Sequence, residues 1–110
     1  MGTYKILKAA KKHLVLLPGL KTHMDFDITV EIGYHESRGQ PLTLKKLLLL
    51  NIASPAAVRR YLQRLIHEGM VSKHTAMNDH RVVYYTLTPK THKSFSQCVS
   101  QLKSILHGIE

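Results

Sequence analysis

Ser54-Pro55 limits what this chain can fold into more than any other pair of neighbours. A serine oxygen at the N-cap accepts from the free amides of a first helical turn, and a proline at N1 arrives with its φ already set. A helix therefore starts at Ser54, and Gly69 closes it as a C′ residue. Between them Val58, Leu62, Leu65 and Ile66 recur at i, i+4, i+7 and i+8, a stripe that needs a core, with Tyr61 on its edge. Ala56, Arg60, Gln63 and His67 project from the opposite side, flanked by Arg59 and Arg64. No acid interrupts that face before Glu68. A merely solvated face mixes both signs of charge, so an acid-free, arginine-rich face carrying an amide suits a polyanion, although each arginine taken alone is more often simply solvated.

The whole chain leans the same way. Sixteen Lys and Arg against seven Asp and Glu leave a net charge of +9 on 110 residues, enough chain for one domain with a modest core. Such an excess points to nucleic acid first and an acidic membrane second. The eight histidines, His13, His23, His35, His67, His74, His80, His92 and His107, include no i, i+4 pair and no coupled Cys or carboxylate cluster of metal-site spacing, so neither metal nor cofactor is expected. The single Cys98 excludes an intramolecular disulfide and suits a reducing cytosol. Lys5, Lys8, Lys11 and Lys12 before "LVLLPGL" mimic a signal peptide, but the apolar run is short and no A-x-A site follows. Nothing approaches a membrane span, and Gly2 lacks the Ser or Thr at position 6 that myristoylation favours, so a cytoplasmic protein is expected. An enzyme is not: there is no Gly-rich phosphate loop, no convincing acid pair and no motif around Cys98.

Along the chain, "TYKILKAAKKHLVLLPGLK" predicts a helix from about Thr3 to Leu17, with Ile6, Ala10, Leu14 and Leu17 on one side and Pro18-Gly19 as its break. "FDITVEIGY" is two-sided, and its local pattern favours a strand, although its context favours a helix. Phe26, Ile28, Val30, Ile32 and Tyr34 alternate like a strand, whereas Ile28, Ile32 and His35 fit a helix beginning after Asp25 or Asp27. After the turn "SRGQP", an extended lead-in at Leu42 and a helix capped by Thr43 follow, with Leu44, Leu47 and Leu48 facing inward. Only Asn51, Ile52 and Ala53 separate it from Ser54, which makes a helix-turn-helix. "MVSKHTA" and "RVVYYTLT" read as strands of a hairpin whose Val83, Tyr85 and Leu87 pack inward and whose loop "TAMNDHR" carries His74, His80 and Arg81 beside Asp79. A basic hairpin directly after a helix-turn-helix is a wing. Thr88-Pro89 opens a last helix in which Phe95, Val99, Leu102, Leu106 and Ile109 step by 4, 3, 4, 3. That seam either pairs two chains or covers the domain's own core. Pairing is the preferred reading, since a one-domain DNA reader gains affinity by it.

Leu42 through Pro89 resembles the winged helix-turn-helix of the MarR (multiple-antibiotic-resistance regulator) family. The residues that carry the resemblance are "LTLKKL", "SPAAVRRYLQRLIHEGMV" and "DHRVVYYTLTP", with Asp79, Arg81, Leu87 and Thr88 at the family's wing spacing. The resemblance implies that "DITVEIGYHESRG" is the motif's first helix, that the helix from Ser54 enters a major groove, that Arg81 reaches a backbone or minor groove with Asp79 holding it, and that the terminal helices form a two-fold dimer. A small residue within the second helix and a Gly in the turn, common in such motifs, are replaced here by Leu48 and Ile52.

The expectation is a mainly α fold with a small β-hairpin. Residues 1–24 form an N-terminal helix or arm, 25–88 a winged helix-turn-helix and 89–110 a dimerising helix. The expected function is sequence-specific binding of double-stranded DNA by a homodimeric transcriptional regulator, in the form of a bacterial repressor. A winged helix that binds protein instead is the alternative, since fold alone does not fix function. DNA contacts are expected from Ser54, Ala56, Arg59, Arg60, Gln63, Arg64, Lys73, His80 and Arg81, with Asp79 as support. Arginine can pair with guanine and glutamine with adenine. No inducer follows from the residues.

Overall fold

The structure is a computed structural model that describes residues 2–15 and 20–107. Among the described residues the elements run α1 (Thr3–Val15), α2 (His23–Ser37), α3 (Leu44–Leu49), α4 (Pro55–His67), β1 (Val71–Thr75), β2 (Val83–Leu87) and α5 (Pro89–His107). The end expected for the first helix at Leu17, and the break at Pro18-Gly19, lie outside the described residues.

The ambiguous segment is a helix, and it begins earlier than Asp25. Thr22 is its N-cap: the Thr22 hydroxyl accepts from Asp25 N–H, and the Asp25 carboxylate accepts from Thr22 N–H in return. A boundary at residue 25 would therefore cut α2 inside its first turn. Ile28 and Ile32 are fully buried on one face, while Val30 and Tyr34, which complete the strand-like alternation, stand exposed on the other. The buried Thr29 hydroxyl donates to the carbonyl of Asp25 at 2.8 Å, so the helix satisfies it internally. Gly33 lets β2 approach: a Cβ there would lie 2.8 Å from Leu87 Cδ1.

Helix α3 is capped by Thr43 and α4 by Ser54, whose hydroxyls accept from Lys46 N–H and Ala57 N–H. At the far end of α4, Gly69 at φ 75° donates to Ile66 O and Met70 N–H to Leu65 O, the paired bonds of a Schellman stop. The turn between α3 and α4 is made at Asn51, with φ 55°. Asn51, and not Ile52 as the sequence suggested, therefore stands where such motifs often carry glycine, because an amide side chain tolerates the left-handed region better than other non-glycine residues. Ile52 is half-buried and packs against the core.

β1 and β2 pair antiparallel with Val71 opposite Leu87, Lys73 opposite Tyr85 and Thr75 opposite Val83. Leu42 joins them by accepting from Tyr85 N–H at 3.0 Å. The core gathers Ile28, Ile32, Leu42, Leu47, Val58, Leu62, Leu65, Met70, Val71, Tyr85 and Leu87, all between the start of α2 and the end of β2. Burying one such aliphatic side chain is worth about 1.5–3 kcal/mol. Helices α1 and α5 lie alongside one another. Asn51→Gly is expected to leave stability unchanged or slightly raised, whereas Asn51→Val should cost about 1–2 kcal/mol in urea unfolding, the penalty of a Cβ-branched residue at positive φ.

Candidate nucleic-acid interface

The Ser54 cap and the stripe Val58, Leu62, Leu65 decide which side of α4 is left to solvent, because the buried stripe faces α2 and β1. Ser54, Ala56, Arg59, Arg60, Gln63 and His67 are all exposed. The Arg60 guanidinium lies 5.3 Å from the centre of the Tyr61 ring, a cation–π contact that orients it along the helix. Burial pushes the Tyr85 phenol above its ordinary value, and the charge of Arg59 pulls the other way. Lys73 is exposed on β1 directly across from Tyr85. With Arg60 and Lys73, Arg59 makes the exposed surface of α4 and β1 basic. Lys45 and Lys46 are exposed on α3.

Arg64 does not share that surface. Its guanidinium is turned to the Asp25 carboxylate on α2 and to Glu68 one turn on, at 3.2 Å, with the side chain only 27% exposed. Burial alone would lower its pKa, but Asp25 and then Glu68 more than offset this and hold it above the ordinary arginine value. Asp25 is fully buried and also accepts from the backbone N–H groups of Lys21 and Thr22. Lys21 reaches Glu68 at 3.2 Å, and that contact, with Arg64, holds the Glu68 carboxyl below the usual range. Arg64 is therefore a tie between helices, a correction to its expected place among the DNA contacts. The sequence shows it on the flank of the face, but its partner lies 39 positions away.

At the hairpin apex, Arg81 N–H and Nε donate to Asp79 Oδ1 at 3.0 and 3.2 Å, and Nη2 to Oδ2 at 3.4 Å. Those bonds hold the Asp79 carboxyl below its ordinary value. The Arg81 side chain is 91% exposed, so its other N–H groups face solvent. His80 is exposed beside it. His74 is not at the apex: it lies in β1, stacked on Tyr84 at 4.9 Å with its Nε2 2.8 Å from the Thr86 hydroxyl.

The α5 seam divides. Phe95 is half-buried, its ring 6.1 Å from that of Phe26 on α2, whereas Val99 and Leu106 are about half exposed and Leu102 is half-buried. Ile109 lies outside the described residues. Cys98 is buried, and desolvation pushes its thiol up. No group of three or more His, Cys, Asp or Glu stands together as a metal site among the described residues, and no described helix is long and apolar enough to cross a membrane.

A helix-turn-helix followed by a two-stranded wing, with helices before and after it running together, is the winged helix-turn-helix fold. Solved structures share it along nearly the whole chain. The transcriptional regulator Tm0710 from Thermotoga maritima matches 96% of this chain and 70% of its own at TM-score 0.76 and 20% identity. A mutant of S. aureus MepR bound to an oligodeoxyribonucleotide matches 97% of this chain and 75% of its own at TM-score 0.78 and 14% identity. The Multiple Antibiotic Resistance Repressor, MarR, matches 94% of this chain and 71% of its own at TM-score 0.67 and 24% identity. The chain has the winged-helix architecture of MarR-family regulators, and at these identities the likeness is one of fold. No protein-family model matches the sequence, and no curated protein matches it.

The Arg64 tie has a measurable consequence. Arg64→Met leaves the buried Asp25 with backbone donors alone and should cost about 2–3 kcal/mol in urea unfolding, the low end for breaking a buried pair because the arginine is partly solvated. The double variant with Asp25→Asn should cost less than the sum of the two single changes.

Proposed function

We propose that this chain is a regulator of transcription that reads double-stranded DNA as a homodimer, with α4 in the major groove and the β1–β2 hairpin as a wing beside it. The observation that carries the reading is the exposed set Arg59, Arg60 and Gln63 on a helix whose other side is the core, continued by Lys73 and Arg81 without an unpaired acid between them. The fold it shares with an oligodeoxyribonucleotide-bound MepR supports it. So does a net charge of +9. Repression is the expected sign of regulation and the cytoplasm the expected compartment.

In this reading Arg60 and Gln63 meet base edges, while Arg81, held by Asp79, meets phosphate or the adjacent minor groove. Ser54 and Ala56 lie at the end of α4 that enters first, small enough for close approach to the backbone. Pairing is supported by apolar side chains left uncovered on both terminal helices: Tyr4 and Leu7 on α1, Val99 and Leu106 on α5. Phe95 contributes to the domain's own packing against Phe26, and Leu102 is shared between the two sides.

Two measurements test these assignments. Arg60→Ala should cost roughly 1–3 kcal/mol on a duplex selected from a random pool and little on a scrambled one. Arg81→Ala should weaken both alike and flatten log K against log[salt] by about 1 per subunit. A shift of sequence preference with Arg81→Ala but not with Arg60→Ala would make the wing the reader. Selected sites should hold inverted half-sites about 10 bp apart. For the pairing face, the double change Val99→Asp, Leu106→Asp should give a folded monomer in sedimentation, with weaker DNA binding. A wild type that sediments as a monomer at tens of micromolar, an order-of-magnitude working concentration, sinks the dimer.

A further inference from the structure

The most exposed large apolar side chain among the described residues is on neither terminal helix but at the hairpin apex, where Met77 is 97% exposed. The apex is a built turn. Ala76 N–H donates to Val82 O at 2.9 Å, Val82 N–H to Asp79 O at 3.0 Å, and Arg81 N–H to the Asp79 carboxylate, so Met77 and Asn78 project past the last paired residues. The one acid and the one arginine of this loop compensate each other through their bidentate contact. A tip of this kind offers more than a phosphate contact from Arg81: it carries a flexible thioether and an amide as well.

That combination suits the floor of a minor groove better than its rim. Apolar wedges, methionine among them, enter between base steps and partly unstack them, while Asn and Arg reach the acceptors on the groove edges. Steps differ in how readily they open: pyrimidine–purine steps such as TA unstack easily, and A-tracts resist. We propose that Met77 is a specificity-determining contact of the wing, lodging against the bases of the minor groove that flanks the α4 site and favouring easily unstacked steps there. This rests on the reading of the chain as a duplex reader, and it adds to that reading a second, shape-dependent source of sequence preference beyond the face of α4.

The test uses the full chain and a duplex enriched from a random-sequence pool. Free protein and complex are treated with hydrogen peroxide, and sulfoxide at Met77 is followed by mass spectrometry, with the buried Met70 as a slow internal reference. Met77 should oxidise readily in the free protein and be protected in the complex; oxidation at the same rate in both overturns the proposal. In a second arm, duplexes carrying either TA or an A-tract at the flanking position compete for wild type and for Met77→Ala, whose solvent-exposed site leaves the fold intact by circular dichroism. Wild type should prefer TA, and the variant's ratio should fall to about 1. An unchanged ratio in the variant overturns the wedge while leaving the α4 assignment standing. Failure of the pool to yield any enriched duplex sinks the duplex reader itself, and the wedge with it.

Discussion

A buried carboxylate on one helix holds an arginine on another, and this tie fixes how α4 sits against the rest of the domain. The apolar stripe Val58, Leu62 and Leu65 drives α4 onto the core and sets which side of the helix is left to solvent. Asp25 adds a directional tie. It is fixed at the start of α2 by the Thr22 capping box, and it receives Arg64 from the last turn of α4. Burying a carboxylate is costly unless several donors meet it, and two backbone N–H groups and a guanidinium do so here. Arg60, one turn before Arg64 on nearly the same side of the helix, and Gln63 are exposed, so the tie takes Arg64 alone out of the arginine face.

Most of the elements are written locally and could be read from the chain. The Ser54-Pro55 and Thr43 caps, the Gly69 stop, the inward Val83, Tyr85 and Leu87 and the basic loop are features of short range, and the structure has each of them. Where local signals compete, the outcome is set by tertiary packing. The alternation from Phe26 to Tyr34 is as good a strand pattern as a helix pattern, and the helix wins because Ile28 and Ile32 meet the core together while Val30 and Tyr34 do not need it. The start of that helix was legible in "THMD", a threonine followed three residues later by an acid, but Asp25 and Asp27 draw attention away from Thr22. Arg64 was not legible at all: helical periodicity gives a direction, never the partner that waits there. The turn shows a milder version, since a search for glycine passes over Asn51, the residue that takes the positive φ.

The divided seam of α5 has a geometric origin. Phe95, Val99, Leu102 and Leu106 step by 4, 3 and 4, and so do Thr91, Phe95, Cys98 and Leu102 by 4, 3 and 4, with Ile105 continuing the second series by 3. Two overlapping heptad registers make a helix apolar over a wide arc, and a single neighbour can cover only part of that arc. The register through Thr91 and Cys98 is the buried one, so the domain uses it, and Val99 and Leu106 are left over. A periodicity argument from sequence sees both series with equal weight.

This sharing ties the two ends of the molecule together. α5 meets α2 at two points: Phe95 against Phe26, and His92 Nε2 at 2.9 Å from Glu36 Oε2, while Glu36 Oε1 accepts from Leu87 N–H at 2.8 Å just before the helix begins. α2 in turn holds α4 through Asp25 and Arg64. A continuous line of packed and hydrogen-bonded groups therefore runs from the uncovered face of α5 to the exposed face of α4. Continuity alone does not transmit a signal; it does so only if some link has two arrangements that both ends can bias. The Asp25 link is buried, with three donors on Oδ2 and none on Oδ1, whereas the Glu36 link is partly solvated and joins three separate elements. If the spacing of two reading helices in a dimer is adjustable, the adjustment belongs at the Glu36 junction, with α2 and α4 moving as one piece.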